Sequence, residues 1–218
     1  TTQNGIETLR PEDFIVECEK YGIPQARHRV ILLGVREDID CHKVNLLEPR
    51  PTVPIDSVIN GLPVLRSGLS KEEDSPEIWR DKLRCSVNEE WVSSILKEID
   101  PTFAEKLKEM LAAIECPFND RGSEFLQCNS EVIDVLKWWY KDSRLDGICN
   151  HTTRGHMRTD IYRYIYASYF TSYFGSFPKL NQYPSVLQPE HKSAKSGHFG
   201  DRFRVQAYGR PATTITCH

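Results

Sequence analysis

The pattern of apolar and polar positions along the chain changes character twice. Residues 14–19 (FIVECE) alternate in the manner of a half-buried strand. Tyr21-Gly22-Ile23-Pro24 reads as a turn, because Gly and Pro punctuate it. Residues 29–35 follow, and their run Val30-Ile31-Leu32-Leu33 reads as a core strand. The two strands are expected to pair as a β-hairpin with a wide loop. Glu48-Pro49-Arg50-Pro51-Thr52-Val53-Pro54 is too rich in proline for regular structure and reads as a linker. Residues 55–59 suggest a short helix, stopped by Asn60-Gly61 and Pro63.

From about Lys71 the spacing becomes helical. Val92, Ile95, Leu96 and Ile99 fall at i, i+3, i+4 and i+7. Asp100-Pro101 supplies an N-cap and a first-turn proline. Phe103, Leu107, Met110, Leu111 and Ile114 then form an apolar stripe that ends at Cys116-Pro117. Val132, Val135, Leu136 and Trp139 predict another helix, and residues 159–174 a tyrosine-rich one. Residues 203–207 and 212–217 read as strands divided by Gly209 and Pro211. There is no internal repeat. The fold class expected is α+β: a hairpin, a proline linker, and a mixed module of helices and strands.

Composition narrows the class. Of 218 residues 39% are apolar and 27% charged, as in a globular protein, and no run approaches the roughly 20 apolar residues of a membrane span. The seven cysteines are scattered and contain no C-x-x-C pair, which argues against a disulfide framework or a zinc site and for a reducing cytoplasm. The start without Met and the β-branched stretch at the end are those expected of a piece of a longer protein. A net charge of −3 excludes a uniformly basic binder. Its distribution is uneven: residues 71–120 hold 7 Lys and Arg against 13 Asp and Glu, and residues 150–218 hold 9 against 3. One acidic and one basic face follow from that asymmetry.

The chain has no G-x-G pair, no phosphate loop, no G-x-S-x-G elbow and no H-E-x-x-H helix. Three constellations remain. In an extended segment Gln25, Arg27 and Arg29 share one face, and Ala26, His28 and Val30 share the other. An amide and two guanidinium groups suit a planar or anionic ligand, or simply a charged strand end. Residues 150–163 bring Arg154 and Arg158 to the start of the expected helix, and both guanidinium groups and helix N-termini donate well to phosphate. Lys192, Lys195, Arg202, Arg204 and Arg210 surround Gly197, Gly200 and Gly209 in a basic stretch with Phe199, which fits a nucleic-acid groove or a solvated surface.

Tyr21-Gly22-Ile23-Pro24-Gln25-Ala26-Arg27-His28-Arg29 resembles the Gln-x-Arg-x-Arg motif of the cytosine-5 DNA methyltransferases of bacterial type. The strand Val30-Ile31-Leu32-Leu33-Gly34 fits the resemblance, as do Pro51-Thr52-Val53 and Ile59-Asn60-Gly61-Leu62-Pro63. So do residues 199–218 with their Thr214-Ile215 pair, and Asn150-His151 with Arg154 resembles an element of members with long recognition domains. Residues 85–143 match little, which is expected where the recognised DNA sequence varies.

The resemblance implies a C-terminal fragment. Residues 1–47 would end a Rossmann-like catalytic lobe, 48–70 would be a hinge, and 71–218 an incomplete target recognition domain of mixed α/β structure. The family's Pro-Cys nucleophile and Glu-Asn-Val motif are absent from the sequence. The enzyme implied flips cytosine from duplex DNA, attacks C6 with a cysteine thiolate and methylates C5 from S-adenosylmethionine. Within it Arg29 would bond the flipped base at O2, Arg27 would support the pocket and Gln25 would orient both. Thr214 would contact the backbone beside the flipped nucleotide, and Arg154, Arg158, Lys192, Lys195, Arg202, Arg204 and Arg210 would meet DNA. The fragment itself is expected to be inactive, to bind no cofactor and no metal, to be a bacterial cytoplasmic monomer, and to need the remaining segments of the enzyme. The alternative is the DNA-binding subunit of a split methyltransferase.

Overall fold

The computed structural model describes residues 2–3, 6–7, 10–39, 45–189 and 203–214. In chain order the strands are β1 (Thr2–Gln3), β2 (Ile6–Glu7), β3 (Ile15–Glu17), β4 (Gln25–Ala26), β5 (His28–Val30), β6 (Gly68–Leu69), β7 (Gly122–Gln127), β8 (Gly147–Thr152), β9 (Gly155–His156) and β10 (Ala212–Thr213). The α-helices are α1 (Asp56–Ile59), α2 (Pro76–Cys85), α3 (Glu90–Glu98), α4 (Pro101–Ala112), α5 (Lys137–Tyr140) and α6 (Arg158–Phe174). The mixture is α+β, as the sequence predicts. The chain forms two compact units, one from Thr1–Val58 with Tyr208–His218 and one from Ile59–Ala207. The first crossing between them falls at Val58.

In the first unit β3 and β5 pair antiparallel, Ile15 with Val30, Val16 with Arg29 and Glu17 with His28. This is the expected hairpin. Its loop is wide because a 3-10 turn, Cys18–Lys20, and a single parallel bridge from Tyr21 to Arg50 intervene. The predicted core strand is corrected. β5 stops at Val30, residues 31–36 have no regular structure, and Ile31, Leu32 and Leu33 are 65%, 92% and 76% exposed. The hydrophobic run is present, but among the described residues no layer covers it.

The second unit has the main core. Val92 and Ile95 of α3, Phe103, Leu107 and Leu111 of α4, and Tyr162, Tyr166 and Phe170 of α6 interdigitate there, together with Tyr183 and Leu187. Two of the tyrosines of α6, Tyr162 and Tyr166, are buried at i and i+4 with their hydroxyls satisfied: Tyr162 donates to Glu89 and Tyr166 to the Gln182 carbonyl. Burial and the Glu89 carboxylate push the Tyr162 hydroxyl up to about 12. Asp100 caps α4 as its sequence predicts, accepting from the Thr102 amide at 2.7 Å. Gly175 ends α6 at φ 69°, a left-handed cap that costs a residue without a Cβ little.

Two further elements differ from expectation. Residues 203–207 form no strand. The helix predicted from Val132 to Trp139 shrinks to a 3-10 turn, Asp134–Leu136, followed by the single turn of α5; Val132 and Leu136 are buried, while Val135 and Trp139 face solvent. This segment is the excursion between β7 and β8, which pair antiparallel from Gly122 with Thr152 to Gln127 with Gly147. Gly122 sits at φ 79°, where a Cβ would lie 1.9 Å from the His151 carbonyl oxygen, so the ladder needs glycine there.

Candidate active-site segment

The site is built on the loop of the first hairpin. After the turn at Gly22 (φ 81°) Pro24 is buried, and β4 pairs in parallel with β10, Gln25 with Ala212 and Ala26 with Thr213. The Ala212 amide donates to the Pro24 carbonyl at 2.9 Å. The Thr214 hydroxyl donates to the Ala26 carbonyl at 3.2 Å, joining residues 188 apart in sequence. The return is braced on both sides: the Ile55 amide meets the Arg210 carbonyl, and Asp56 accepts from the Gly209 amide at 2.7 Å.

Between β4 and β5 the strand is interrupted. The Arg27 amide turns back to the Gln25 carbonyl at 2.9 Å, while its own carbonyl accepts from Cys18. The strict alternation expected of residues 25–29 is therefore broken at Ala26. Gln25 is half-buried; Arg27 and Arg29 are exposed. Arg29 donates to the His28 carbonyl at 2.7 Å, and Arg27 makes no side-chain bond among the described residues. The His28 imidazole is held by Glu19 at 2.8 Å. Burial pushes the Glu19 carboxyl up, but the bond to His28, a backbone amide and the charges of His28 and Lys20 together keep the group below its ordinary value. Two cationic forks on a backbone pinned from both sides can donate several hydrogen bonds to one planar acceptor.

The other sequence-predicted residues divide between the units. Arg210 is exposed in the first unit, and Thr214 is half-buried there. In the second, Arg154 is exposed in the turn from β8 to β9, and Arg158 opens α6. Arg204 is half-buried, with its guanidinium 4.8 Å from the centre of the Phe177 ring. Lys192, Lys195 and Arg202 lie outside the described residues. No group of His, Cys, Asp and Glu among the described residues is arranged to hold a metal ion, and no helix there is long and apolar enough to cross a membrane.

Against known families, the C-5 cytosine-specific DNA methylase model matches residues 12–165, well over half of the 218. The chain belongs to that family. The matched span begins at the hairpin and takes in Gln25, Arg27, Arg29 and most of the second unit. No curated protein and no solved structure matches the chain. The methylase family acts on DNA and uses S-adenosylmethionine.

Sequence reasoning missed two features. Arg66, only 2% exposed, joins Asp74 and Asp120 in the second unit. Trp138, Trp139 and Tyr140 stand in solvent at 74%, 60% and 52%. The second had a signal. Three consecutive aromatics on a helix are spread over about 200° of its circumference at 100° per residue, so one apolar stripe cannot bury them all.

The β4–β10 pairing carries a direct prediction. Thr214→Val keeps the shape and removes the bond to Ala26. It is expected to lower stability by about 1 kcal/mol in urea titration, with Thr214→Ser close to wild type. A valine variant as stable as wild type would show that the hydroxyl does not hold β4.

Proposed function

We propose that the chain is the DNA-recognising part of a cytosine-5 DNA methyltransferase and supplies part of the cytosine pocket. The observation that carries this reading is the parallel seating of β10 on β4. It sets Thr214 on the backbone between Gln25 and Arg27. In this reading Arg29 bonds the flipped base, Arg27 and Gln25 brace it, and Thr214 lies beside the extruded nucleotide. Arg154, Arg158 and Arg210 meet phosphates, together with Lys192, Lys195, Arg202 and Arg204. In this reading the recognition domain is the second unit, residues 59–207, reached through a hinge within 48–70, while residues 208–214 return to the first unit.

Exposure of Val30, Ile31, Leu32 and Leu33 supports the need for further segments. Neighbouring strand residues point to opposite faces. A continuous apolar run therefore asks for cover on both faces, as in a parallel α/β sheet. A Rossmann-like lobe provides that cover, whether on the same chain or, in a split enzyme, on another. The methyl donor is assigned to that lobe. The two guanidinium groups beside Gln25 suit the carbonyl oxygen of a base and repel the sulfonium centre from which S-adenosylmethionine gives its methyl group.

The test is a pair of assays on the purified chain. Anisotropy with labelled duplex is expected to give a dissociation constant on the order of 10⁻⁴–10⁻⁶ M at physiological salt, weakening as salt rises. Methyl transfer from labelled S-adenosylmethionine is expected to be nil, and to appear when a polypeptide carrying the Pro-Cys motif is added. Methylation by the chain alone would sink the proposal, as would failure to bind duplex at low salt.

A further inference from the structure

The excursion from β7 to β8 is built rather than loose. Val132 and Leu136 are buried at 7% and 6%, and Gly61 lies close against the backbone of Glu131, where a Cβ would be 3.1 Å from its amide nitrogen. On this base α5 holds Trp138 and Trp139 in solvent with their ring centres 4.6 Å apart. Lysines flank the aromatic triplet at 137 and 141. Among the neighbouring carboxylates Asp134 takes Lys137 at 2.6 Å and Asp142 takes Arg144 at 2.6 Å, while Glu131 lines the same pocket as Lys137 and Lys141. Lys141 makes no ion pair among the described residues. An exposed tryptophan pair held on buried anchors is costly to leave bare, and its chemistry, flat π faces beside an ammonium group, matches a nucleobase and its phosphate.

The supporting scaffold has the same fit. β7 and β8 form a two-stranded ribbon, six residues on each strand. Such a ribbon is about 20 Å long at 3.4 Å per residue, and the major groove of B-DNA admits a ribbon of two strands. Gln127 and Asn150, both exposed, lie on it. Aromatic and apolar side chains presented by DNA-bending proteins enter base steps as wedges and unstack them.

We propose that Trp138 and Trp139 form a stacking wedge whose occupant is duplex DNA opened at one base step, with Lys141 on an adjoining phosphate. The proposal rests on the reading of this unit as a DNA-recognising domain and adds where and how it would grip the stack.

The test uses the purified chain and two fluorescein-labelled duplexes of one mixed sequence, fully paired and with a single abasic site. Wild type is expected to prefer the abasic duplex. The double variant Trp138→Ala/Trp139→Ala is expected to lose affinity for it by about 10-fold or more, with Trp138→Phe/Trp139→Phe retaining most of it. The slope of log affinity against log salt stays unchanged, because no phosphate contact is removed. Both variants should melt with wild type, since the rings are exposed. Wild-type binding with no loss in the alanine variant overturns the wedge alone. No binding of either duplex by wild type overturns the wedge and the DNA reading together. A self-association of wild type that the alanine variant abolishes would make a second copy the occupant and also overturn it.

Discussion

Replacing Arg66 with alanine is expected to cost about 3 kcal/mol of stability, the lower end of what breaking a buried ion pair costs. Arg66 is 2% exposed and donates to Asp74 at 2.6 Å, to Asp120, and to the Ser67 carbonyl at 3.0 Å. Truncation leaves Asp74 largely shielded from water without its main counter-charge. The loss is held near the lower end because Asp74 keeps the Leu69 amide at 3.1 Å and Arg121 at 3.3 Å, while Asp120 is half exposed. Arg66→Lys should recover only part, since an ammonium group cannot bridge two carboxylates with the guanidinium's fixed fork. A loss in urea unfolding below about 1 kcal/mol, the scale of an exposed pair, would contradict this account.

The same cluster sets a pH dependence. Burial pushes the Asp74 carboxyl up, but the Arg66 bond, the Leu69 amide and the charges of Arg66 and Arg121 together hold it below the ordinary 3.8. A carboxyl depressed on folding stabilises the native state above its unfolded value, and that contribution disappears as pH falls through the folded value. The stability difference between wild type and Asp74→Asn should therefore be full at neutral pH and shrink on acidification below the ordinary carboxylate range. A difference that stayed constant through that range would mean that folding does not depress the Asp74 carboxyl.

Local signals were the legible part of the fold. Asp100-Pro101 announced α4 because a cap and a first-turn proline act within one helical turn. The span of α6 was readable from its unbroken tyrosine-rich run, although its sides differ too little in polarity to say which face is buried. β7 and β8 were illegible for the opposite reason. Both carry exposed and half-buried residues on the same stretch, so the period-2 signal is blurred and their pairing is non-local. Val30 to Leu33 shows a further limit: hydrophobicity says that a segment wants cover, and nothing in the run says what supplies it. The site divides similarly. Alternation suggested that Gln25, Arg27 and Arg29 share a face, but the turn at Ala26 depends on hydrogen bonds that alternation cannot see. That Thr214 would stand near them came from family resemblance, since no spacing rule links residues 188 apart. Arg66, a lone arginine between Leu65 and Ser67, carried no mark of burial at all.

In the active methyltransferase, Arg29→Ala is expected to lower kcat by about 10²–10³-fold, the effect of removing one donor from a developing oxyanion. Affinity for duplex should change by no more than a few-fold. The separation follows from when the contact is made. Arg29 stands exposed on β5, outside the basic stretches, with one donor spent on the His28 carbonyl. In the proposed role a base still stacked in the duplex would not reach it. Only a flipped cytosine would gain the bond in that role, and the bond would strengthen as attack at C6 drives charge onto O2; such an interaction lowers the barrier without tightening ground-state binding. Arg29→Lys keeps the charge and loses the fork, so it should recover only part of the rate. Arg154→Ala is the contrasting variant: a phosphate contact should weaken duplex binding and flatten its salt dependence while leaving kcat at saturating DNA intact. Parallel losses of turnover and affinity in Arg29→Ala would instead make Arg29 a DNA-docking residue and remove it from the cytosine pocket.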